Sequence, residues 1–150
     1  MPIKSFRGLM AHGAEDTIVL HTSNGSTGYR IVKFHIIDYQ PGTAVGAHDP
    51  ELVCKIYKTS QSTVDGTIDF SDNRLLGVAY YKSGNIATEE NSSTIIFDNE
   101  IFNQDIYVTM NDGSGGDLRG NYYIELEQVK LDLSENTVAT LKDIRNIESQ

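Results

Sequence analysis

Apolar side chains recur along this chain mostly at every second position, the spacing of a strand that buries one face. Val32, Phe34 and Ile36 alternate with Lys33 and His35 inside Gly28–Tyr39. Leu52, Cys54 and Ile56 alternate with Val53, Lys55 and Tyr57. Leu76, Val78 and Tyr80 mark a third face, with Gly77 and Ala79 opposite, and Ile106, Val108 and Met110 a fourth. Thr17–His21 and Ser93–Phe97 are shorter runs of the same kind. Val, Ile, Tyr, Phe and Thr dominate these runs, as a half-buried pleated surface prefers. Polar turn sequences separate them: Ser23-Asn24-Gly25-Ser26, Gln40-Pro41-Gly42, Asp65-Gly66, Ser71-Asp72-Asn73 and Lys82-Ser83-Gly84-Asn85. Pro41–Pro50 and Asn111–Gly120 read as longer loops. Short strands with this spacing predict two packed sheets or a barrel, not alternating strands and helices.

The pattern changes phase in one long run, Asn121–Leu133. Tyr122, Ile124 and Leu126 share one face, whereas Val129, Leu131 and Leu133 have the opposite parity. A bulge or bend near Glu127-Gln128 would turn both trios inward and let one strand serve both sheets. Two shorter strands, or one strand covered by different partners on its two faces, are the alternatives. After Leu133 the period lengthens. Ser134 is a good N-cap, Glu135 suits the first turn, and Val138, Leu141 and Ile144 form an apolar stripe. The expectation is a helix over residues 134–147, too short to stand alone, so it docks on its own sandwich or on a neighbour. Ile3–Met10 reads equally as a first strand or, within residues 1–12, as an N-terminal arm. Together these features predict one all-β domain over residues 1–150. It is an antiparallel two-sheet sandwich, jelly-roll-like, with a short C-terminal α-helix.

A chain of 150 residues buries roughly 70% of its unfolded surface, enough for a core without metal or disulfide. The single cysteine, Cys54, lies in an apolar alternating run and reads as a small buried hydrophobe. No apolar run reaches the roughly 20 residues of a membrane span, and no secretory pattern follows Met1, so no membrane partner is expected. Asn24-Gly25-Ser26 and Asn91-Ser92-Ser93 fit the glycosylation pattern but read as chance loop sequences in that setting. The net charge of −9 is uneven. Residues 1–60 carry six Lys/Arg against five Asp/Glu, and residues 61–150 carry six against sixteen. Such an acidic surface repels phosphate backbones and argues against direct binding of nucleic acid.

No pattern of catalysis emerges, and the expectation is a protein that is not an enzyme, with no cofactor and no metal. His12, His21, His35 and His48 share no metal-ligand spacing. Gly-x-Ser-x-Gly does not occur, and the glycine-rich Asp112–Asp117 lacks the ending of a phosphate loop and the Glu spacing of a calcium hand. Asp98, Glu100 and Asp105 are close in sequence, and paired carboxylates can hydrolyse sugars. They sit, however, among turn formers in a chain without tryptophan. Tyr80-Tyr81 and Tyr122-Tyr123 each put one ring on either face of a strand, so one of each pair can meet a partner.

Several stretches resemble a family of small virion structural proteins of tailed bacteriophages, especially those of marine phages. They are Gly28–Phe34, Lys55–Lys58, Ile96–Thr109, Asn121–Glu127 and Ala139–Arg145. The resemblance implies a repeated, non-catalytic part of the particle, made in the host cytoplasm. In its most specific form this is a decoration, or cement, protein on the capsid exterior that joins major capsid subunits. A neck, tail or baseplate component, or a carbohydrate-binding module for host attachment, are the alternatives. The implied partners are the major capsid protein or other virion proteins, and further copies of this chain, with a trimer suiting a three-fold axis. Candidate contact residues are Lys4, Phe6, Arg7 and Leu9 in the N-terminal segment, Tyr81 and Tyr123 on strands, and Leu141 on the helix.

Overall fold

A computed structural model describes residues 2–41, 48–82, 91–132, 134 and 137–140. Eight strands follow one another: β1 Ile3–Met10, β2 Ala14–Ile18, β3 Thr27–Asp38, β4 Glu51–Tyr57, β5 Leu75–Lys82, β6 Asn91–Ile96, β7 Ile106–Asp112 and β8 Gly120–Lys130. They form two antiparallel sheets, one in the order β1-β8-β3 and one in the order β2-β7-β4-β5-β6. Residues 134 and 137–140 are helical, so the chain is the all-β two-sheet sandwich with a short C-terminal helix that the pattern predicts. No helix of the described residues is long and apolar enough to cross a membrane.

The strand order explains why the sandwich is a jelly roll. Rolling one long hairpin pairs the first strand with the last, the second with the seventh, the third with the sixth and the fourth with the fifth. Three of these pairs are present: β1 with β8, β2 with β7 and β4 with β5. In the fourth, β6 has moved across to pair with β5. What survives beside β3 is a single bridge, in which Tyr29 and Phe102 exchange two backbone hydrogen bonds of 2.8 and 2.9 Å. Each of these pairings leaves one row of side chains between the sheets. Phe34, Leu52, Ile56, Ile106, Met110, Ile124 and Leu126 fill that interior, with Cys54 beside them.

Two phase predictions need correcting. No bend occurs in β8 near Gln128: β8 pairs with β3 from Thr27↔Lys130 to Asp38↔Gly120. The extra residue sits on the partner strand, where the register shifts between Ile31 and Lys33. Val32 is therefore exposed, and Ile31 joins Phe34 and Ile36 inside. The run of Val129 and Leu131 breaks phase because β8 ends at Lys130, after which Leu131 is held by a bond from its N–H to Ser26 O. A Cβ on Gly28 would meet Ile101 Cγ2 at 2.9 Å and Leu131 Cδ2 at 3.1 Å, so glycine makes room for this closure. Leu133 lies outside the described residues.

The second correction is in β5. A register shift between Ile56 and Tyr57 leaves Leu76 as the extra residue of that ladder. Beyond it Ala79 and Tyr81 face the core, and Val78 and Tyr80 face outward. Val78 is nevertheless buried, opposite Lys55, to which the connection over residues 58–74 that roofs this sheet is anchored. Glu15 on β2 accepts hydrogen bonds from Ser60 Oγ at 2.6 Å and Gln61 N–H at 2.7 Å. Lys55 on β4 donates its ammonium to Thr67 O at 2.6 Å. Both anchors lie on the outward row that contains Thr109 and Val78.

The helix docks on its own domain. Ala139 is buried, and Asn103 Nδ2 donates to Thr140 Oγ1 at 2.9 Å and to Gly25 O at 3.2 Å. Val138, expected on the apolar stripe, is exposed instead. Residues 141–150, with Leu141 and Ile144, lie outside the described residues, as do most of the predicted 41–50 loop and the turn after Lys82.

Candidate interaction face

The two sheets differ in what covers them. The outer face of the five-stranded sheet lies under the 58–74 connection, whereas that of β1-β8-β3 is bare among the described residues. Strand alternation fixes which side chains it presents. Met10, Ile124 and Leu126 turn inward, so Ile3, Ser5, Arg7 and Leu9 of β1 turn out, as do Tyr123, Glu125 and Glu127 of β8. Beyond the Val32 bulge, β3 contributes Lys33, His35 and Ile37.

The registers arrange these residues in rows across the sheet. Leu9, Asn121 and Ile37 form one row, and Arg7, Tyr123 and His35 the next. Ser5, Glu125 and Lys33 make the third row, and Ile3, Glu127 and Arg30 the fourth. Apolar groups occupy three of the four corners, with Arg30 at the fourth: Ile3, Leu9 and Ile37 are exposed, Ile37 at 57%. Tyr123 lies at the centre, its hydroxyl donating to Glu125 Oε2 at 2.7 Å. That bond to a carboxylate holds the phenol above its usual pKa. Lys33 Nζ stands 6.0 Å from the centre of the same ring. Arg30 Nε and Nη2 reach Glu127 Oε2 at 3.0 and 2.9 Å. Three fixed cations thus oppose two carboxylates on this face, in a protein of net charge −9.

Of the predicted contact residues, the structure brings Arg7, Leu9 and Tyr123 together here. Lys4 and Phe6 belong to the inward row of β1. Phe6 is half-buried against the core, and Lys4 Nζ lies 5.9 Å above the Tyr29 ring. Tyr81 is corrected: it is 5% exposed and opposes Leu52 inside the core. The partly exposed ring is that of Tyr80, whose hydroxyl lies 3.4 Å from Glu51 Oε1. Sequence reading missed Ile37, although it stands out as an apolar residue on the polar parity of Lys33 and His35.

The remaining candidates for chemistry have structural partners. Asp105 accepts the N–H groups of Leu20 and His21 and the His21 ring at 2.7 Å. Burial alone would raise its pKa, but these bonds prevail and lower it. Glu100 pairs with Lys58, and Asp98 occupies a turn at φ 59°. Glu100 and Asp105 therefore hold different segments, Lys58 and residues 20–21, while Asp98 borders the same hollow as Glu100. Asp112 organises the glycine-rich turn: Oδ1 accepts Glu51 N–H and Ser114 N–H, and Oδ2 accepts Ser114 Oγ–H and Leu118 N–H. Its burial is likewise outweighed by these bonds, led by that from Leu118, and its pKa is lowered. Burial drives the Cys54 thiol pKa upward, against reactivity. No group of three or more His, Cys, Asp or Glu among the described residues is arranged to hold a metal.

Comparison with protein families, with curated proteins and with solved structures gives no match to this chain.

Proposed function

We propose that this chain is a non-enzymatic structural protein of a tailed-phage particle, a decoration protein that joins neighbouring major capsid subunits from outside. The observation that carries the reading is the outer face of β1-β8-β3, bare among the described residues. It presents three apolar corners, a central tyrosine and three cations against two carboxylates, while the opposite sheet is roofed by its own chain. Aromatic and arginine side chains within an apolar surround are the usual anchors of protein contacts. The acidic remainder of the surface keeps an exterior protein soluble. The sequence resemblance supplies the particle. Cosedimentation with empty shells tests it: the chain binds, and Leu9→Asp or Ile37→Asp weakens binding by tenfold or more while leaving the fold intact. Binding that neither change affects, or a label found only on tails in imaged particles, refutes it.

One further observation favours a second reading, attachment to a glycan. Phe70 is 59% exposed and meets Phe97 edge to face, with ring centres 5.2 Å apart. The pair borders a hollow of about 250 Å³ lined also by Lys58, Asp72, Asn73 and Glu100. A glycan array discriminates: binding abolished by Phe70→Ala supports this reading, and a blank array removes it.

A further inference from the structure

A sheet edge offers unpaired peptide groups, and proteins blunt such edges with bulges, short strands or a covering segment. Three of the four edges here are blunted. β3 carries the Val32 bulge and the Phe102 bridge, and β2 and β6 are short, with five and six residues. β1 differs: eight residues pair with β8 without a register shift, and nothing among the described residues lies along its other side.

One bond sets the direction of its peptide groups. Pro2 O accepts Gln128 N–H at 2.9 Å, so even-numbered residues of β1 bond to β8. Antiparallel ladders alternate, so Ile3, Ser5, Arg7 and Leu9 aim both N–H and C=O at the open edge. The side chains then select a partner. We propose that β1 pairs antiparallel with β1 of a second copy, about a two-fold axis at Phe6, to form a continuous six-stranded sheet.

Charge and size select this register. A two-fold normal to the sheet places each residue opposite one of the same parity, because both copies keep the same face outward. Centring on Phe6 opposes Ile3 with the second copy's Leu9, Ser5 with Arg7 and Lys4 with Gly8, and uses the whole strand. Centring on Arg7 or Lys4 sets like charges directly opposite, which is unfavourable. Centring on Ser5 leaves Leu9 and Met10 beyond the partner strand. At the chosen centre the two Phe6 rings meet at a non-hydrogen-bonded pair, where side chains approach most closely. They close the half-open flank of both cores. The outer rows of the two copies become one surface. The contact does not depend on the phage reading, and its two-fold symmetry makes dimers rather than the trimer suggested by the resemblance.

Light scattering on the full chain up to about 1 mM tests the pairing, the range of a weak contact. The native chain gives a dimer. Ser5→Pro removes a donor only at the open edge and leaves the β8 ladder untouched, so it gives a folded monomer. Should Ser5→Pro fail to fold, amide exchange of the native chain decides. The Ser5, Arg7 and Leu9 amides gain protection as concentration rises, while those of β2 do not. A native monomer or trimer, a dimer that survives in Ser5→Pro, or edge amides indifferent to concentration overturns the proposal.

Discussion

Lys58 and Glu100 provide a stringent test of how the roof is fastened. Their side chains retain 3% and 8% exposure, and their charges face each other between the start of the 58–74 connection and the turn after β6. Removing one partner of such a pair strands the other charge out of water, at a cost of about 3–5 kcal/mol. Lys58→Met and Glu100→Gln should each lose that amount from a total stability of about 5–15 kcal/mol. At about 2–4 °C per kcal/mol for a domain this long, the midpoint falls by about 6–20 °C. The double variant Lys58→Met/Glu100→Leu removes both charges and recovers most of the loss, because apolar replacements for a buried pair are often neutral or better. Arg30 and Glu127 are the internal control: the same chemistry at 38% and 15% exposure. Glu127→Gln should cost only about 0.2–1 kcal/mol. Urea unfolding followed by circular dichroism measures all four, with the slope of the transition unchanged. Single variants that each cost under about 1 kcal/mol, with effects that add in the double, would refute the reasoning.

Further tests address the core, the roof, the helix and the acid limit. Phe34→Ala should cost about 3–5 kcal/mol and Lys33→Ala almost nothing, which equal effects in urea unfolding would contradict. Thr109 Oγ1 is buried under the roof without a hydrogen-bond partner among the described residues, so Thr109→Val should stabilise by about 1 kcal/mol in the same assay. Asn103→Ala should free the helix and cost about 1–3 kcal/mol, read as faster amide exchange at Ala139 and Thr140. Asp112 and Asp105 have folded pKa values below the ordinary 3.8, so their stabilisation is present above that value and is lost as pH falls through the lowered ones. Thermal midpoints below about pH 4 should therefore drop less steeply in Asp112→Asn than in the native chain.

The strands are legible because burial on one face imposes period two, and β3, β4, β7 and β8 lie where that period runs longest. Alternation misleads where the ladder takes an extra residue. Val32 and Leu76 each put the residues on their two sides out of phase with one another, and nothing in the local sequence marks either as the odd one. Parity places Tyr81 outside for that reason. Lys55 carries a different lesson: it is buried with its ammonium bonded to Thr67 O in the 58–74 connection, a contact of tertiary origin that alternation within a strand cannot encode. On the candidate face, Arg7, Leu9 and Tyr123 are readable from parity alone. Ile37, Lys33 and His35 require the pairing of β3 with β8, which joins residues about ninety positions apart.

The pairing of first strand with last also has a consequence during synthesis. Ile3 opposes Glu127 and Met10 opposes Gly120, so β1 emerges from the ribosome more than a hundred residues before β8, its ladder partner among the described residues. At 5–20 residues per second that wait lasts roughly 6–24 s. Throughout it, a strand bearing Ile3, Phe6, Leu9 and Met10 stands unpaired in a crowded polysome, where neighbouring nascent chains display the same strand. Lys4 and Arg7 then act as gatekeepers, their repulsion opposing in-register stacking of many β1 segments. In an antiparallel pair the same two charges disfavour centring on Lys4 or Arg7 and leave the Phe6-centred pairing free of opposed like charges, so strand orientation and register together would separate aggregation from assembly.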